Sequence, residues 1–551
     1  MGVEEKQVAS SNNEAFKEEN DDIVLPAVLP LSKNRPWYKF FDEYEYRDLY
    51  ERRGVQHKWW RWFDENDTPE ERRYILKLDI LVTSYCFISY WVKNMDSGNI
   101  NNAYISGMKT DLNLGGNDLV HLQVMFTLGG VICQIPFTYL FPKVRMNWLI
   151  PGMDIIWGLF TLAQYKAQSR RELMAYRFLV GAAEASFFPG VHYVLGSWFK
   201  AHEIQRRGGI FYFGLMLGGS TTGLLQSAVL KSLDGVHGIA GWRWVFIIDA
   251  VITIPIGFLG FLTWPGTPDK IQSLFFSQKD KEIAKRRAKI NGSKAPKGFS
   301  WSVVKKALTS WHLPVLIVWD VLFWNSGTQA GVFLLWLKSV YPEEKYVPWI
   351  NRISAVPYAI GIGFVFIACF GADVFRSRWF FLNLMQLINW INLVILSIWK
   401  VSNTAKWYAF FTQYACWAMS SVLYGWANDI LRHDDEYRSL VLILMNLMAQ
   451  QSIAWTPLIF WKTTSAPKYQ MGFIYAAIIT FLIILWTFVV LYFFKQDERA
   501  YYFEKLGQVD HSEYELDDEY HESNVTQKTA ASKNRHKKSE VVINSHSIEI
   551  K

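Results

Sequence analysis

Twelve apolar stretches, each bounded by polar or charged residues, follow one another along most of this chain. A helix needs about 20 mostly apolar residues to cross the hydrocarbon layer of a bilayer, so each stretch predicts one membrane span. Spans 1 to 12 are predicted at residues 78–103, 119–140, 148–165, 172–198, 208–230, 242–264, 311–338, 350–371, 379–399, 406–430, 439–461 and 471–494.

The spans form two sets of six, separated by the polar segment 265–310. The pattern therefore predicts an all-α membrane protein with two six-helix halves, a layout typical of transporters whose halves rock about a central site. The predicted divisions are a tail at 1–74, a first half at 75–264, a loop at 265–310, a second half at 311–494 and a tail at 495–551.

Composition agrees with this layout: 17% of the residues are aromatic and 26 are Trp, an excess typical of helices edged by interfacial aromatics. The four cysteines lie inside apolar spans, so no disulfide and no metal site is expected. The N-terminus lacks a basic-then-apolar pattern, so no cleavable signal is predicted.

Charge predicts the orientation. The segment 265–310 holds 11 Lys or Arg against 3 Asp or Glu, which favours a cytoplasmic, lipid-facing loop over a nucleic-acid surface. Both termini are then cytoplasmic, and the plasma membrane is the expected location. The aromatic segment 36–63 is either a helix lying on the inner leaflet or one packed on the cytoplasmic mouth of the bundle.

Ionisable residues inside spans are costly, so each is a functional candidate. In span 4, Arg177 and Glu184 are seven residues apart and project from one face about 10 Å apart along the axis. Small residues surround Glu184 and permit close approach of another helix. A carboxyl at this depth protonates easily, as proton coupling requires, whereas the alternative is a fixed Arg–Glu structural pair.

Span 1 turns polar at Lys93 and offers a second carboxylate at Asp96. Either the helix leaves the membrane at Lys93 or its outer half lines an aqueous cavity. Lys93 and Asp96 are three residues apart and hence neighbours on the helix surface.

Other polar positions carry weaker signals. Asp320, Asn325 and Gln329 form an imperfect stripe in span 7 that could face a cavity, and span 11 offers a similar set at Asn446, Gln450 and Gln451. Hydrogen bonding between helices explains these residues equally well. Asp249, Asp154 and His192 are interpreted as structural, and Asp79 and Asp429 as solvated or gate-forming residues at helix ends.

No enzyme motif is present in a suitable context, whether GxSxG, HExxH, CxxC, Walker or dinucleotide glycine pattern. No catalytic residue, metal or cofactor is therefore predicted. Without a Walker motif, an ATP-driven pump is also disfavoured, and the energy for transport is expected to come from a gradient.

Several motifs resemble one family. NINNAYISGMKTDLNLGGNDL after span 1, YRFLVGAAEASFFPG in span 4, AGWRWVFIIDA at span 6 and GADVFRSRW after span 8 are similar to the major facilitator superfamily, in its anion:cation symporter branch and fungal allantoate-permease group. WTFVVLYFFKQDER and KWYAFF most resemble fungal biotin (vitamin H) carriers, and a related sulfur-compound permease is similarly close.

The resemblance implies proton coupling by Asp96 and Glu184, with Arg177 as charge partner, and it favours the longer span 1. The branch usually has Arg directly after the span 1 Asp, but here Ser97 stands there. We therefore expect Lys93 to supply the missing cation. The gating motif of the superfamily is recognisable only in the second half, at Asp373 and Arg376.

The expected function is therefore proton-coupled import of a small organic anion by alternating access. Biotin, pantothenate, an allantoate-like ureide and a sulfur-containing acid remain open as substrates, and a monomer is expected. The alternative is a nutrient sensor that signals through its tails without significant flux. The predicted substrate-binding residues are Tyr90, Asn94, Trp324, Asn325, Gln329, Asn446 and Gln450.

Overall fold

The computed structural model describes residues 35–50, 62–63, 67–141, 143–199, 201–268, 271, 275–290, 301–329 and 331–508. Within these ranges the ordered elements are helices, and each of the twelve predicted spans coincides with helix. The tails 1–34 and 509–551, residues 51–61 of the predicted aromatic segment and residues 291–300 of the central loop lie outside the described residues.

The first half consists of six helical segments. Span 1 is Pro69–Asp111, and the next five are Asp118–Leu140, Met146–Gln164, Arg170–Glu184 continued by Phe187–Trp198, Ala201–Ser232 and Gly241–Thr263. Thr68 caps span 1 by accepting a hydrogen bond from the Glu71 backbone N–H, and the Glu71 side chain accepts one from the Thr68 backbone N–H. The start of the bundle is thus fixed by a local capping box.

The second half repeats this plan with more interruptions. Its segments are His312–Asn325 with Val332–Val340, Val347–Ile353 with Ala355–Val374, Arg378–Ile398, Asn403–Phe411 with Ala415–Ala418 and Ser420–Ile430, Asp435–Phe460, and Gln470–Gln508. The described part of the central loop adds two helices, Gln278–Ile290 and Trp301–Thr309.

Nine helices among the described residues are long and apolar enough to cross a membrane, or ten if the bent pair Trp301–Thr309 and His312–Asn325 counts as one span. The remaining two predicted spans are also helical. Span 3 carries Asn147 and Asp154, which lower its apolar character, and span 10 is divided into three short helices.

The two halves use the same helix pairings. Span 1 packs on span 5, span 2 on span 4 and span 3 on span 6, while span 7 packs on span 11 and span 8 on span 10. Asn389 of span 9 donates a hydrogen bond to Thr480 of span 12 at 3.2 Å. Between the halves, span 2 packs on span 11 and span 5 on span 8. The predicted internal duplication is therefore present in the packing.

The far end of the bundle, where span 1 finishes near Asp111, is closed by one apolar cluster to which both halves contribute. Met108 and Trp242 of the first half pack in it with Trp336 and Trp461 of the second half. At the near end, where span 1 begins, the larger buried cluster among the described residues draws only on the first half and the central loop. Contact between the halves thus seals the far end.

Two glycines bring spans 2 and 4 unusually close together. A Cβ on Gly181 would lie 1.9 Å from the Phe126 carbonyl oxygen, and one on Gly129 would lie 2.2 Å from the Phe178 carbonyl oxygen. Backbone atoms cannot move aside as flexible side chains can. The helix that carries Glu184 is therefore held directly against span 2, as its small residues predict.

We expect Gly181→Val to prevent stable folding, because spans 2 and 4 must separate to admit the side chain; overpacking of a core costs about 1–3 kcal/mol or more. Thermal unfolding of purified protein in detergent measures the effect. Gly130→Ala is the matched control, since its Cβ would meet nothing closer than 3.8 Å. A Gly181→Val protein that unfolds at the wild-type temperature would contradict the close approach.

Among the described residues, 35–50 and 495–508 belong to one compact unit. In it, Lys495 Nζ lies 2.6 Å from Glu45 Oε2, and Arg47 Nη2 lies 3.0 Å from Glu498 Oε1; all four side chains are buried. Burial raises the pKa of Glu45, but hydrogen bonds from Arg35 and Lys495 outweigh it and hold that pKa below its usual range. Two buried ion pairs thus join the N-terminal segment to the last helix.

Candidate functional site

A cavity of about 400 Å³ lies between the two halves, on the near side of the apolar cluster that seals the far end. Its walls come from spans 1, 2, 4 and 5 of the first half and from spans 7, 8, 10 and 11 of the second. The predicted site residues that line it are Tyr90, Lys93, Asn94, Arg177, Glu184, Trp324, Gln329, Asn446 and Gln450.

Span 1 lines this cavity with its polar half. Its helix continues past Lys93 to Asp111, and Lys93, Asn94 and Ser97 all face the cavity. Of the two alternatives left open by the sequence, the structure has the longer span. The Asn94 amide donates to the Tyr90 carbonyl oxygen at 2.7 Å, within the helix itself.

Glu184 lies on the cavity wall where span 4 breaks. It is the last residue of the helix Arg170–Glu184, and only 2% of it is exposed. Neither carboxyl oxygen has a hydrogen-bond partner among the described residues. Its one ion pair is with Lys93, whose Nζ lies 3.7 Å from Glu184 Oε2. Because a buried carboxylate with a single long ion pair is poorly stabilised, this group is suited to binding a proton.

Arg177 shares the cavity with Glu184 but does not bond to it. Among the described residues, the Arg177 guanidinium has no ion pair within 4.0 Å, and its Nε and Nη1 atoms have no hydrogen-bond partner. It lies over the Phe126 ring, 4.5 Å from the ring centroid, in a cation–π contact. The fixed Arg–Glu pair considered as an alternative is therefore absent, and Arg177 presents a buried positive charge to the cavity.

Asp96 is fully buried just outside the cavity lining. Its Oδ2 accepts a hydrogen bond from Thr161 at 2.6 Å, and Asp249 is a neighbouring buried carboxyl. Asp249 in turn accepts from Asn99 at 2.8 Å. Two neighbouring buried carboxylates repel each other when both are ionised, so Asp249, interpreted from sequence as structural, belongs to the same charge cluster as Asp96.

Aromatic rings pack beside Lys93. Tyr90 stacks on Phe211 with ring centroids 4.0 Å apart and on Phe187 at 6.1 Å. Lys93 Nζ lies 5.6 Å from the centroid of the Phe187 ring. The ammonium group is thus held between a carboxylate and an aromatic face, in a position that a substrate anion can reach from the cavity.

In the second half, the helix of span 7 ends at Asn325 and resumes at Val332. Trp324 faces the cavity, but Asn325 does not, contrary to its predicted role. The Asn325 amide donates to Ser452, and its oxygen accepts from Thr456 and Tyr475. The prediction placed Asn325 on the wrong side because an apolar helix gives no periodic signal of which face is inward.

Gln329 bridges the halves at the edge of the cavity. Its Nε2 donates to Gln123 Oε1 at 2.9 Å, and Gln123 Nε2 donates to Asn101 Oδ1 at 2.7 Å. The positive φ of Gly331, +90°, lets the chain turn beside Asn101, where a Cβ would come within 2.7 Å of the Asn101 amide oxygen. Gln329 thus lines the cavity, as predicted, and also bonds to a residue of the first half.

Two residues outside the predicted set hold Asn446 in place, Gln134 on the cavity wall and Tyr424 behind it. Gln134 of span 2 donates from Nε2 to Asn446 Oδ1 at 3.0 Å, and Tyr424 of span 10 accepts from Asn446 Nδ2 at 3.0 Å. Gln134 was detectable as an amide inside an apolar span, where polar groups mark pathways or contacts. Tyr424 gave no such signal, because tyrosine is common in these spans.

At the near end, buried arginines pair with acidic residues. Asp79 receives two bonds from Arg207, at 2.6 and 2.9 Å, and Arg378 lies 2.9 Å from Asp429. The predicted gating residue Asp373 is half-buried in the last turn of span 8, while Arg376 is exposed just after that helix, at a φ of +49°. The gating role of Asp373 and Arg376 stays a prediction.

Comparison with known proteins identifies the family of this chain. Residues 86–457 match the family model of the Major Facilitator Superfamily. The chain is 39% identical over 490 residues to a vitamin H transporter of Saccharomyces cerevisiae, covering 87% of this chain and 82% of that protein. It is 34% identical over 440 residues to a pantothenate transporter of Schizosaccharomyces pombe, covering 78% and 84%.

Solved structures show the same fold at low identity. The proton:xylose symporter XylE superposes with a TM-score of 0.57 at 14% identity, over 75% of this chain and 95% of that one. A bacterial homologue of the lysosomal transporter Spinster, inward-facing and unoccupied, gives 0.53 at 16% identity, over 78% and 99%. The chain is thus an integral membrane protein that transports small molecules, not an enzyme, and it belongs to the Major Facilitator Superfamily.

Proposed function

We propose that this protein carries a small organic anion together with a proton, by alternating access. The observation that carries the proposal is the position of Glu184. It is buried on the cavity wall, no described residue donates a hydrogen bond to it, and its carboxylate lies 3.7 Å from the Lys93 ammonium. A carboxyl in this position can hold a proton, and a cation beside it can hold an anion.

Competition for Lys93 couples the two ligands. While Glu184 is ionised, Lys93 is its counter-ion. A proton on Glu184 removes that charge and frees Lys93 for the carboxylate of the substrate. When the substrate leaves on the other side, Lys93 returns to Glu184 and the proton departs. A proton and a monovalent anion enter together as a neutral load, which lowers the electrostatic cost of moving between the two states.

Arg177 and the pair of Asp96 and Asp249 support this exchange. Arg177 keeps a permanent positive charge at the cavity wall, which stabilises the ionised form of the neighbouring acids. Asp96 is fully buried and does not line the cavity. In this proposal it therefore receives its proton after Glu184 rather than directly from the solution. The neighbouring Asp249 carboxyl favours a proton on one of these two acids, because two ionised carboxylates repel each other.

The proposed substrates are small organic carboxylates that fit within the cavity. A cavity of about 400 Å³ accommodates such a molecule, and two cations reach it from the first half. The relatives named as vitamin H and pantothenate transporters favour biotin and pantothenate. We assign the chain on its motifs to the anion:cation symporter branch and the allantoate-permease group.

We further propose the plasma membrane as its location, with both termini and the basic loop 265–310 in the cytoplasm and the far end facing outward. A monomer suffices, because the cavity is complete within one chain. Labelling of cysteines introduced at Lys109 and Lys279 in intact cells tests this orientation. A membrane-impermeant reagent is expected to modify position 109 only. Labelling of position 279 instead would show that the orientation is the opposite of the one proposed.

Uptake of radiolabelled biotin and pantothenate in cells that lack their own carriers tests the function. Lowering the external pH from 7 to 5 is expected to raise initial uptake of the carried acid several-fold, because the proton is a co-substrate and its inward gradient becomes larger. A protonophore is expected to abolish accumulation. Uptake that is unchanged by both treatments would rule out proton coupling, and no uptake of either acid would rule out these substrates.

A further inference from the structure

A directed chain of hydrogen bonds leads from the cavity wall into the second half. Gln134 Nε2 donates to Asn446 Oδ1 at 3.0 Å, and Asn446 Nδ2 donates to the Tyr424 hydroxyl at 3.0 Å. The Tyr424 hydroxyl donates to Asp320 Oδ2 at 2.9 Å. Gln134 and Asn446 line the cavity, whereas Asp320 is fully buried behind it.

The direction of this chain is fixed by what Tyr424 can bond. A phenolic hydroxyl has one hydrogen to donate and can accept two hydrogen bonds. Trp324 Nε1, which can only donate, takes one acceptor position at 3.0 Å, and Asn446 Nδ2 takes the other. The single hydrogen goes to Asp320. Asp320 Oδ1 has no partner among the described residues and can carry a proton without altering this bond.

While Asp320 Oδ2 accepts the Tyr424 hydrogen, Asn446 can point in only one direction. If its amide turned over, Asn446 Oδ1 would face the Tyr424 oxygen, whose hydrogen is already given to Asp320. Two acceptors would then face each other in a buried place without a hydrogen between them, which is unfavourable. Asp320 therefore determines, through Tyr424, that Asn446 offers its oxygen toward the cavity.

The two walls of the cavity thus differ in polarity. The first half offers the ammonium of Lys93 and the guanidinium of Arg177, which bind an anion. The second half offers the Asn446 oxygen, which accepts a hydrogen bond. In this structure that oxygen is occupied by an amide N–H, that of Gln134. A substrate that displaces Gln134 can replace this bond only if it brings a hydrogen-bond donor of its own, and an amide or ureido N–H reproduces the Gln134 contact most directly.

We propose that Asp320 and Tyr424 are positioning residues that hold Asn446 as the acceptor for an amide or ureido N–H of the substrate. The inference rests on the proposed function and narrows it: the carried molecule is a carboxylate with such a group at a distance from the carboxylate. Biotin has a ureido N–H and pantothenate an amide N–H, whereas a simple fatty acid has neither.

Competition with methylated analogues tests the inference. Inhibition of radiolabelled biotin uptake is measured with unlabelled biotin and with N,N′-dimethylbiotin, and pantothenate is paired likewise with its N-methyl amide. The wild type is expected to favour the N–H form by about tenfold, the value of one hydrogen bond of about 1.4 kcal/mol. Equal inhibition by both forms, in a carrier that transports the acid, would overturn the inference and leave the proposed function intact.

Three variants separate a positioning role from a steric one. Tyr424→Phe and Asp320→Leu remove the fixed hydrogen-bond direction and are expected to lower the preference for N–H to about threefold or less. Asp320→Asn keeps an acceptor for Tyr424 and is expected to retain the wild-type preference. If the methylated analogues bind poorly only because the methyl group is too large, Tyr424→Phe will still prefer the N–H form as strongly as the wild type does. An unchanged preference in Tyr424→Phe therefore overturns the proposal, even if Asp320→Leu fails to fold.

A control variant distinguishes this wall from the anion site. Lys93→Gln is expected to weaken binding of both members of each analogue pair by the same factor and so to leave the preference unchanged. If Lys93→Gln changes the preference as strongly as Tyr424→Phe, the division of the cavity into two walls is wrong. If neither biotin nor pantothenate is transported, the proposed substrates fail, and this narrower inference fails with them.

Discussion

Replacing Glu184 with glutamine is expected to abolish proton-driven accumulation of the substrate while leaving exchange of internal for external substrate measurable. Glutamine has nearly the shape of the protonated acid but cannot release a proton, so Lys93 stays free to bind the anion on both sides. With one proton per anion, the wild type can concentrate substrate about tenfold per pH unit of gradient, since each unit is worth about 1.4 kcal/mol. Steady-state accumulation and counterflow, measured on the same vesicles at imposed pH gradients, provide the two readouts.

The matched control is Glu172→Gln, which removes an exposed carboxyl from the first turn of the same helix. It is expected to keep wild-type accumulation, because this residue serves only in local capping with Ser169. Concentrative uptake by the Glu184→Gln carrier that matches the wild type would refute the assignment of Glu184. Loss of exchange as well would show that the variant fails in binding rather than in coupling.

Replacing Lys93 with glutamine is expected to raise the KM for the anion by about 10- to 100-fold, with a smaller effect on the maximal rate. The substrate carboxylate loses its partner in a buried cavity, where a hydrogen bond to a charged group contributes about 1.5–3 kcal/mol. Initial uptake over a range of substrate concentrations measures both parameters. Since Glu184 also loses its counter-ion, uptake by this variant is expected to depend less on external pH.

Lys338→Gln serves as the control, because this lysine lies beyond the cavity at the far end and pairs with the exposed Glu344 at 2.8 Å. Its KM is expected to stay within about twofold of wild type, as exposed ion pairs contribute little. An unchanged KM in Lys93→Gln would mean that Lys93 does not bind the substrate anion in place of the arginine that usually follows the span 1 Asp. Arg177 would then be the remaining cation on the cavity wall.

The positions of the spans were predictable because a bilayer sets the length of every crossing helix. The charged residues of the cavity were predictable for a related reason: Lys93, Arg177 and Glu184 are expensive in hydrocarbon and therefore have to face a cavity or a partner. What the sequence could not supply was the pairing. It placed Arg177 and Glu184 together by helical spacing, whereas the structure pairs Glu184 with Lys93 from another span.

The second half was harder to predict because its helices are apolar on all sides. Trp324 and Asn325 are adjacent in sequence, yet one lines the cavity and the other bonds to Ser452 behind it. The interruption after Asn325 sets the rotation of that helix, and no periodic pattern reports it. The contact between Gln134 and Asn446, 312 residues apart, depends on how two halves pack and has no local signature.

The unit that joins residues 35–50 to the last helix limits how the protein can be shortened. A version that ends before Lys495 would leave Glu45 and Arg47 without their charged partners, and a version that begins after residue 56 would do the same to Lys495 and Glu498. Unpaired buried charges are strongly destabilising. Trimming for crystallisation is therefore safer if both ends are removed together than if either is removed alone.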